Sequence, residues 1–122
     1  MENNGIRFGP AGNCEAFRAA GYKATEQVFA FLSEWGLNAY EYQCGRGVRL
    51  SEQSAAAIRR QAEQYGVQVS LHAPYFISLA SAEEEKRENS IRYILDSARA
   101  VTALGGDRIV VHPGGLGGRS RP

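Results

Sequence analysis

Val69-Ser70-Leu71-His72-Ala73-Pro74-Tyr75 and Ile109-Val110-Val111-His112-Pro113-Gly114-Gly115 are short apolar runs that each lead into a histidine and are then cut by a proline. They hold both histidines of the 122-residue chain. Each run follows an amphipathic stretch that ends in glycine. Before the first run, Ser51 opens a helical pattern with Ala55, Ile58, Ala62 and Tyr65 on one face and Gly66 as its stop. Before the second, Ser81 and Glu84 have the spacing of a capping box, Ile91, Ile94, Leu95, Ala98 and Val101 form a stripe, and Gly105-Gly106 follow.

The same grammar extends toward the amino terminus. Thr25 is placed to cap a helix with Val28, Phe31, Leu32 and Trp35 inward and Gly36 as the stop. Strand candidates cover 6–9, 38–43, 67–73 and 108–112, which gives the order βαβαβαβ. Helical crossovers of this length require parallel, right-handed pairing. Side-chain alternation then puts Gln68, Ser70 and His72 on the inner face, with Val69 and Leu71 against the helices. Val110 and His112 share the inner side of the last strand. On the second strand, Ala39, Glu41 and Gln43 share one face and Tyr40 and Tyr42 the other.

Four parallel strands and three helices make half of a (β/α)8 barrel, which takes about 250 residues when closed. The fold class expected is therefore α/β, a partial TIM barrel, with residues 1–122 as a single incomplete domain. Gly117-Gly118-Arg119-Ser120-Arg121-Pro122 reads as another strand-to-helix loop with Ser120 at a cap position. The chain is accordingly expected to be the amino-terminal part of a longer barrel, and its exposed strand edges to favour self-association.

Apolar residues make up 43% and charged residues 22%, a globular composition with no run approaching the ~18–20 apolar residues of a membrane span. Residues 1–4 lack the basic and apolar regions of a signal peptide, so no membrane partner and a cytoplasmic location are expected. Cys14 and Cys44 form no CxxC pair and read as packed free thiols.

Chemistry in such folds gathers at the carboxyl ends of the strands. Two neutral imidazoles there are metal-ligand candidates, His72 and His112, although each could instead be a hydrogen-bonded polar residue at a strand end. Glu41 is a possible ligand or general base, or an internal partner for Arg7 or Arg108. Residues 75–81 carry no charge and two aromatics, and Tyr75, beside a ligand candidate, is placed to stack on a base or wedge into a duplex, while Ile77 and Leu79 read as loop packing. The loops after the four strands carry six basic residues, Arg18, Lys23, Arg46, Arg49, Arg119 and Arg121, against one acidic, Glu15. The rest of the chain has eight basic and twelve acidic residues. A formal charge of +1 thus hides a positive rim suited to a phosphodiester.

Leu71-His72-Ala73-Pro74-Tyr75-Phe76-Ile77-Ser78-Leu79-Ala80-Ser81 resembles the HxPYxxNLAS stretch of the endonuclease IV family, metal-dependent apurinic/apyrimidinic endonucleases among the xylose isomerase-like TIM barrels, with Ser78 at the asparagine position. Val110-Val111-His112-Pro113-Gly114 resembles that family's second histidine strand. Phe8-Gly9-Pro10-Ala11-Gly12 and Tyr42-Gln43-Cys44-Gly45-Arg46-Gly47 are similar to a bacterial endonuclease IV-like branch. The resemblance implies a site of three zinc ions, with His72 and His112 among the ligands. It also implies that Tyr75 enters the DNA at the lesion and that Arg46 lies in a second DNA-contacting loop. Further glutamate, aspartate and histidine ligands would lie beyond Pro122. The function expected is hydrolysis of abasic duplex DNA 5′ to the lesion, with Arg46 and Arg49 on backbone phosphates and with this chain alone inactive. The alternative is a sugar isomerase or epimerase of the same superfold using one Mn or Mg ion and carboxylate bases, a reading that Glu41 would suit. A non-catalytic half-barrel that pairs with another chain is a third possibility.

Overall fold

The computed structural model describes residues 5–121. Three parallel strands, β1 (Ala39–Gln43), β2 (Gln68–His72) and β3 (Ile109–Val110), lie in the order β1-β2-β3. Helices α3 (Glu52–Gln64) and α4 (Glu84–Ala103) connect them, and a short α1 (Glu15–Ala19) and α2 (Val28–Glu34) precede β1. This is the parallel, helix-connected architecture expected of a partial barrel. No helix among the described residues is long and apolar enough to cross a membrane.

The expected first strand at 6–9 is not a regular strand. Residues 8–12 instead run beside β1 as an irregular parallel edge: the Asn38 and Ala39 N–H groups donate to the Phe8 carbonyl, Glu41 N–H to that of Pro10, and Gly12 N–H to that of Glu41. Pro10 has no N–H to give to a ladder, and the Phe8 N–H is taken by Asn38 Oδ1 at 2.9 Å. Four expected strands thus become three and a strand-like edge, which also covers the outer side of β1. β3 is shorter than expected for a related reason. Pro74 cannot donate, and Tyr75 N–H turns away to the Gly45 carbonyl at 3.1 Å, so the ladder ends where Ala73 N–H meets the Val110 carbonyl.

Pairing register aligns the strand ends: Gln43 lies opposite His72, and His72 opposite Val110. Alternation holds as expected. Val69 and Leu71 are buried with Tyr40, Phe29, Leu32, Ile58 and Val101 in one core, whereas Gln68 and Ser70 are half-buried on the other face.

Ser51 caps α3 by accepting from Ser54 N–H at 3.1 Å, and Ala55, Ile58 and Ala62 face the core. Thr25 does not act as the expected cap. It begins a 3-10 turn, Thr25–Gln27, whose entry is tied by Gln27 Oε1 accepting from the Lys23 and Ala24 N–H groups. Ser81 accepts from Glu83 N–H rather than closing a capping box with Glu84, and α4 begins at Glu84. The buried face of α4 is also rotated from the expected stripe. Ser90, Ser97, Ala100 and Val101 are buried, while Ile91 and Leu95 are exposed. Small side chains let the helix lie close to the sheet, and the two serine hydroxyls bond back to the Lys86 and Tyr93 carbonyls, which removes the cost of burying them. Trp35, expected inward, is exposed and leans on Phe31 at 5.8 Å. The α1 helix escapes a periodicity reading because five residues show no repeat; its anchor is Phe17, which is fully buried.

Two glycines without a positive φ, Gly9 and Gly106, are required by close backbone approach alone. A Cβ on Gly9 would stand 1.6 Å from the Ala39 carbonyl oxygen, and one on Gly106 would stand 2.2 Å from that of Val69. Gly115 meets nothing within 4 Å. Gly9→Ala and Gly106→Ala should therefore each destabilise the fold by about 2–4 kcal/mol, the upper range of overpacking costs. Gly115→Ala should be near neutral. Urea midpoints of the three variants check this, and equal midpoints would contradict the packing described.

Candidate functional site

β2 and the residues after β3 bring both histidines together at the carboxyl edge of the sheet. The two imidazole centroids lie 5.0 Å apart, and the Tyr75 ring stands 4.9 Å from His72 and 6.1 Å from His112. His72 is buried, at 7% exposure, whereas His112 and Tyr75 are open to solvent. The His72 Nδ1 lies 2.7 Å from the Ala73 carbonyl oxygen. A carbonyl only accepts, so this contact is a hydrogen bond when Nδ1 carries the proton, and Nε2 then keeps a free lone pair. An imidazole oriented through its other ring nitrogen is the usual arrangement of a metal-binding histidine.

Arg46 and Arg49, carried by the loop after β1, share a groove of about 380 Å³ with Tyr42, Gln43, Cys44 and Tyr75. The loop is anchored to the histidine strand: Cys44 N–H donates to the His72 carbonyl at 3.0 Å, and Gly45 accepts from Tyr75. The structure thus gathers five of the six sequence-derived candidates, His72, His112, Tyr75, Arg46 and Arg49, along two adjoining loops and strand ends. Among the described residues, none of the rim cations Arg18, Lys23, Arg46, Arg49, Arg119 or Arg121 forms an ion pair.

Glu41 is the sixth. It sits two residues before the end of β1, opposite Ser70, and its carboxylate accepts from Gln43 Nε2 at 3.1 Å. The expected ion pair with Arg7 or Arg108 does not form. Arg7 donates to the Asn38 and Gly66 carbonyls at the opposite edge of the sheet, and Arg108 pairs with its neighbour Asp107 at 3.0 Å. Among the described residues no group of three or more His, Cys, Asp or Glu side chains is arranged to hold a metal ion. The histidine pair supplies two donors.

The loop 75–81 is fastened from both sides. Ser78 N–H donates to Ser90 Oγ at 2.8 Å, whose own O–H donates to the Lys86 carbonyl, and Leu79 N–H donates to the Pro113 carbonyl beyond β3. Ile77 is buried as expected, but Leu79 is exposed because its backbone, not its side chain, makes the contact. Ser90 is a supporting residue that the sequence did not mark. Its buried position on α4 stands out only once the helix's inward face is known.

Burial pushes the Cys44 thiol up from its ordinary 9.0 to about 11. The Tyr40 hydroxyl is raised further, again by burial first and then by Tyr42, while it donates to Asn13 Oδ1 at 2.8 Å. Neither is an acid or nucleophile at neutral pH.

A parallel, helix-connected sheet of this order is a partial TIM barrel, and its candidate site lies at the carboxyl edge. The chain belongs to the xylose isomerase-like TIM barrel family, whose pattern matches residues 29–122. It is 37% identical over 83 residues to an uncharacterized protein of Methanocaldococcus jannaschii, an alignment spanning 68% of this chain and 29% of that protein. Over 44 residues it is 43% identical to a probable endonuclease 4 of Mycoplasmoides gallisepticum, spanning 36% of this chain and 14% of that one. The crystal structure of endonuclease IV from Thermus thermophilus superposes with a TM-score of 0.61 at 28% identity, covering 73% of this chain and 35% of that one. A D-tagatose 3-epimerase-like protein gives 0.66 at 23% identity over 89% of this chain and 38% of that one, a likeness of fold alone. The chain thus spans well under half the length of these relatives.

The raised Cys44 value carries a sign. The unfolded chain loses this proton before the folded one does, so stability that is complete below about pH 9 should decline as pH rises toward about 11. Cys44→Ala should flatten that decline in urea titrations across pH 8–11. At pH 8, iodoacetamide should modify the half-buried Cys14 well before Cys44 in the native protein, as read by mass spectrometry. Equal rates would contradict the burial of Cys44.

Proposed function

We propose that this chain carries the metal-binding and DNA-recognition edge of a phosphodiesterase resembling endonuclease IV, which hydrolyses abasic duplex DNA 5′ to the lesion. The observation that supports this best is the convergence of the His72–His112 pair, the Tyr75 ring and the Arg46–Arg49 groove on one edge of the sheet. Stacking on the ring and charge neutralisation by the two guanidinium groups both suit a nucleic acid, which offers bases and phosphates together.

The donor set fits zinc: two neighbouring imidazoles, one of them oriented by a backbone carbonyl. Zinc held there would supply Lewis-acid activation for phosphodiester hydrolysis. His72 and His112 are ligands in this reading, Arg46 and Arg49 neutralise backbone phosphates, and Tyr75 fills the space left by the missing base. Catalytic zinc takes at least three protein ligands, so the working site requires donors beyond those described here, and this chain alone is expected to be inactive. Glu41, held by Gln43, remains the candidate base of the alternative sugar isomerase or epimerase reading, which would use Mn or Mg.

The test uses the complete gene product that contains this chain. His72→Ala and His112→Ala should each lower bound zinc, measured by elemental analysis, together with incision of a labelled abasic oligonucleotide. Unchanged zinc in both variants would remove the histidines from the site. Replacing Arg46 and Arg49 together should weaken duplex binding and lower the slope of log affinity against log salt by about 2, roughly one for each lost phosphate contact. Turnover of a ketose or aldose with no incision, at full metal loading, would replace the nuclease reading by the isomerase one.

A further inference from the structure

Gly45 is held neither by a left-handed backbone conformation nor, among its nearest neighbours, by backbone crowding. Its φ is not positive, so the main chain there suits any L-residue. The three atoms nearest a Cβ at this position all belong to the ring of Tyr75, with Cε2 at 2.3 Å and Cδ2 at 2.8 Å. The contrast is with Gly9 and Gly106, where the obstacle is a carbonyl of the sheet. Gly45 also accepts the Tyr75 N–H, so the residue that clears space for the ring holds the backbone from which the ring springs.

We propose that Gly45 is a positioning residue for substrate recognition: its missing side chain seats the Tyr75 ring against the imidazoles of His72 and His112. Tyr75 is 61% exposed, so few other contacts fix where the ring stands. Pushed off Gly45, it would leave the histidine pair or swing into the groove that Arg46 and Arg49 line. The contact therefore couples the arginine loop to the histidine edge. Its consequence for lesion recognition rests on the nuclease reading above; the geometry itself does not.

The chain's two histidines make the geometry directly readable, because the complete protein's imidazole Cε1–H resonances can be assigned by loss of each in His72→Ala and His112→Ala. An aromatic ring about 5–6 Å away shifts them by its ring current, and the observed centroid separations are 4.9 and 6.1 Å. Gly45→Ala should move both resonances, while its melting temperature stays near that of the unmodified protein, since the displaced group is the end of a side chain. Tyr75→Ala should move them as well. In the double variant the ring that the added methyl would strike is gone, so its spectrum should match that of Tyr75→Ala alone. A Gly45→Ala spectrum identical to the unmodified one would overturn the proposal, as would a further shift in the double variant. If Gly45→Ala fails to fold, recovery of folding in the double variant supports the contact, and failure of both overturns it.

A second arm measures affinity for abasic against intact duplex. Gly45→Ala should lower that ratio about fivefold or more, the lower end of what a lost aromatic stack costs, and should have no effect in the Tyr75→Ala background. An unmodified protein that shows no preference for abasic duplex counts against the nuclease reading, and the resonance arm then decides the role of Gly45 by itself.

Discussion

The register of β2 between its neighbours is the constraint on which the rest of the site depends. With Gln43 opposite His72 and His72 opposite Val110, the strands end level, and the histidine of β2 meets the one that follows β3. A slip of one residue would turn His72 into the helix layer and bring Leu71 out of the core. The register is therefore held by the hydrophobic pattern: Val69 and Leu71 are buried almost completely, and reversing them would expose both. Core packing and site geometry are two consequences of one alternation.

Above that sheet, the loops are locked to one another by groups too small to interfere. Gly45 lets the Tyr75 ring approach, Gly114 would meet the Ile77 carbonyl at 2.9 Å if it carried a Cβ, and Gly117 would meet that of Ala80 at 2.2 Å. The loop after β3 thus rests on the loop after β2, which rests on the loop after β1. Hydrogen bonds follow the same path, from Leu79 to Pro113 and from Tyr75 to Gly45. A glycine-rich loop is often taken as pliable. Here several of its glycines are places where two backbones, or a backbone and a ring, come closer than any side chain allows.

How much of this the sequence discloses follows from which forces are local. Alternation is local, so the faces of Gln68 to His72 and of Ala39 to Gln43 are readable, as are the Ser51 cap and the grouping of histidines at one edge. The face of α4 is set by the sheet it lies on. Its apolar stripe names Ile91 and Leu95, but close approach selects Ser90, Ser97 and Ala100, whose small size matters only once the distance to β2 is known. Thr25 and Ser81 have the right chemistry for caps and lose that role to Gln27 and to a turn at Glu83. Residues 6–9 look like a strand by composition, yet Pro10 and the diversion of the Phe8 amide to Asn38 shift the pairing to 8–12. The partner of Glu41 was unreadable because Arg7 and Arg108 are drawn to carbonyls and to Asp107 at the far edge.

Fold likeness leaves the chemistry open, since an endonuclease IV and an epimerase-like protein superpose on this chain almost equally well. The difference must lie in what the carboxyl edge presents. A sugar site works by enclosure, with ligands and bases turned inward and apolar walls excluding water. This edge presents an exposed tyrosine, a buried histidine oriented through its Nδ1, and a groove with two guanidinium groups and no carboxylate among its lining residues. Glu41, the one carboxylate on the inner face of β1, is held by Gln43. Cations left without partners repel one another and lower stability unless an anion arrives, so their clustering beside the histidines is most economically understood as complementarity to a polyanion. The charge pattern, more than the barrel, is what supports the proposed nucleic-acid reading of this edge.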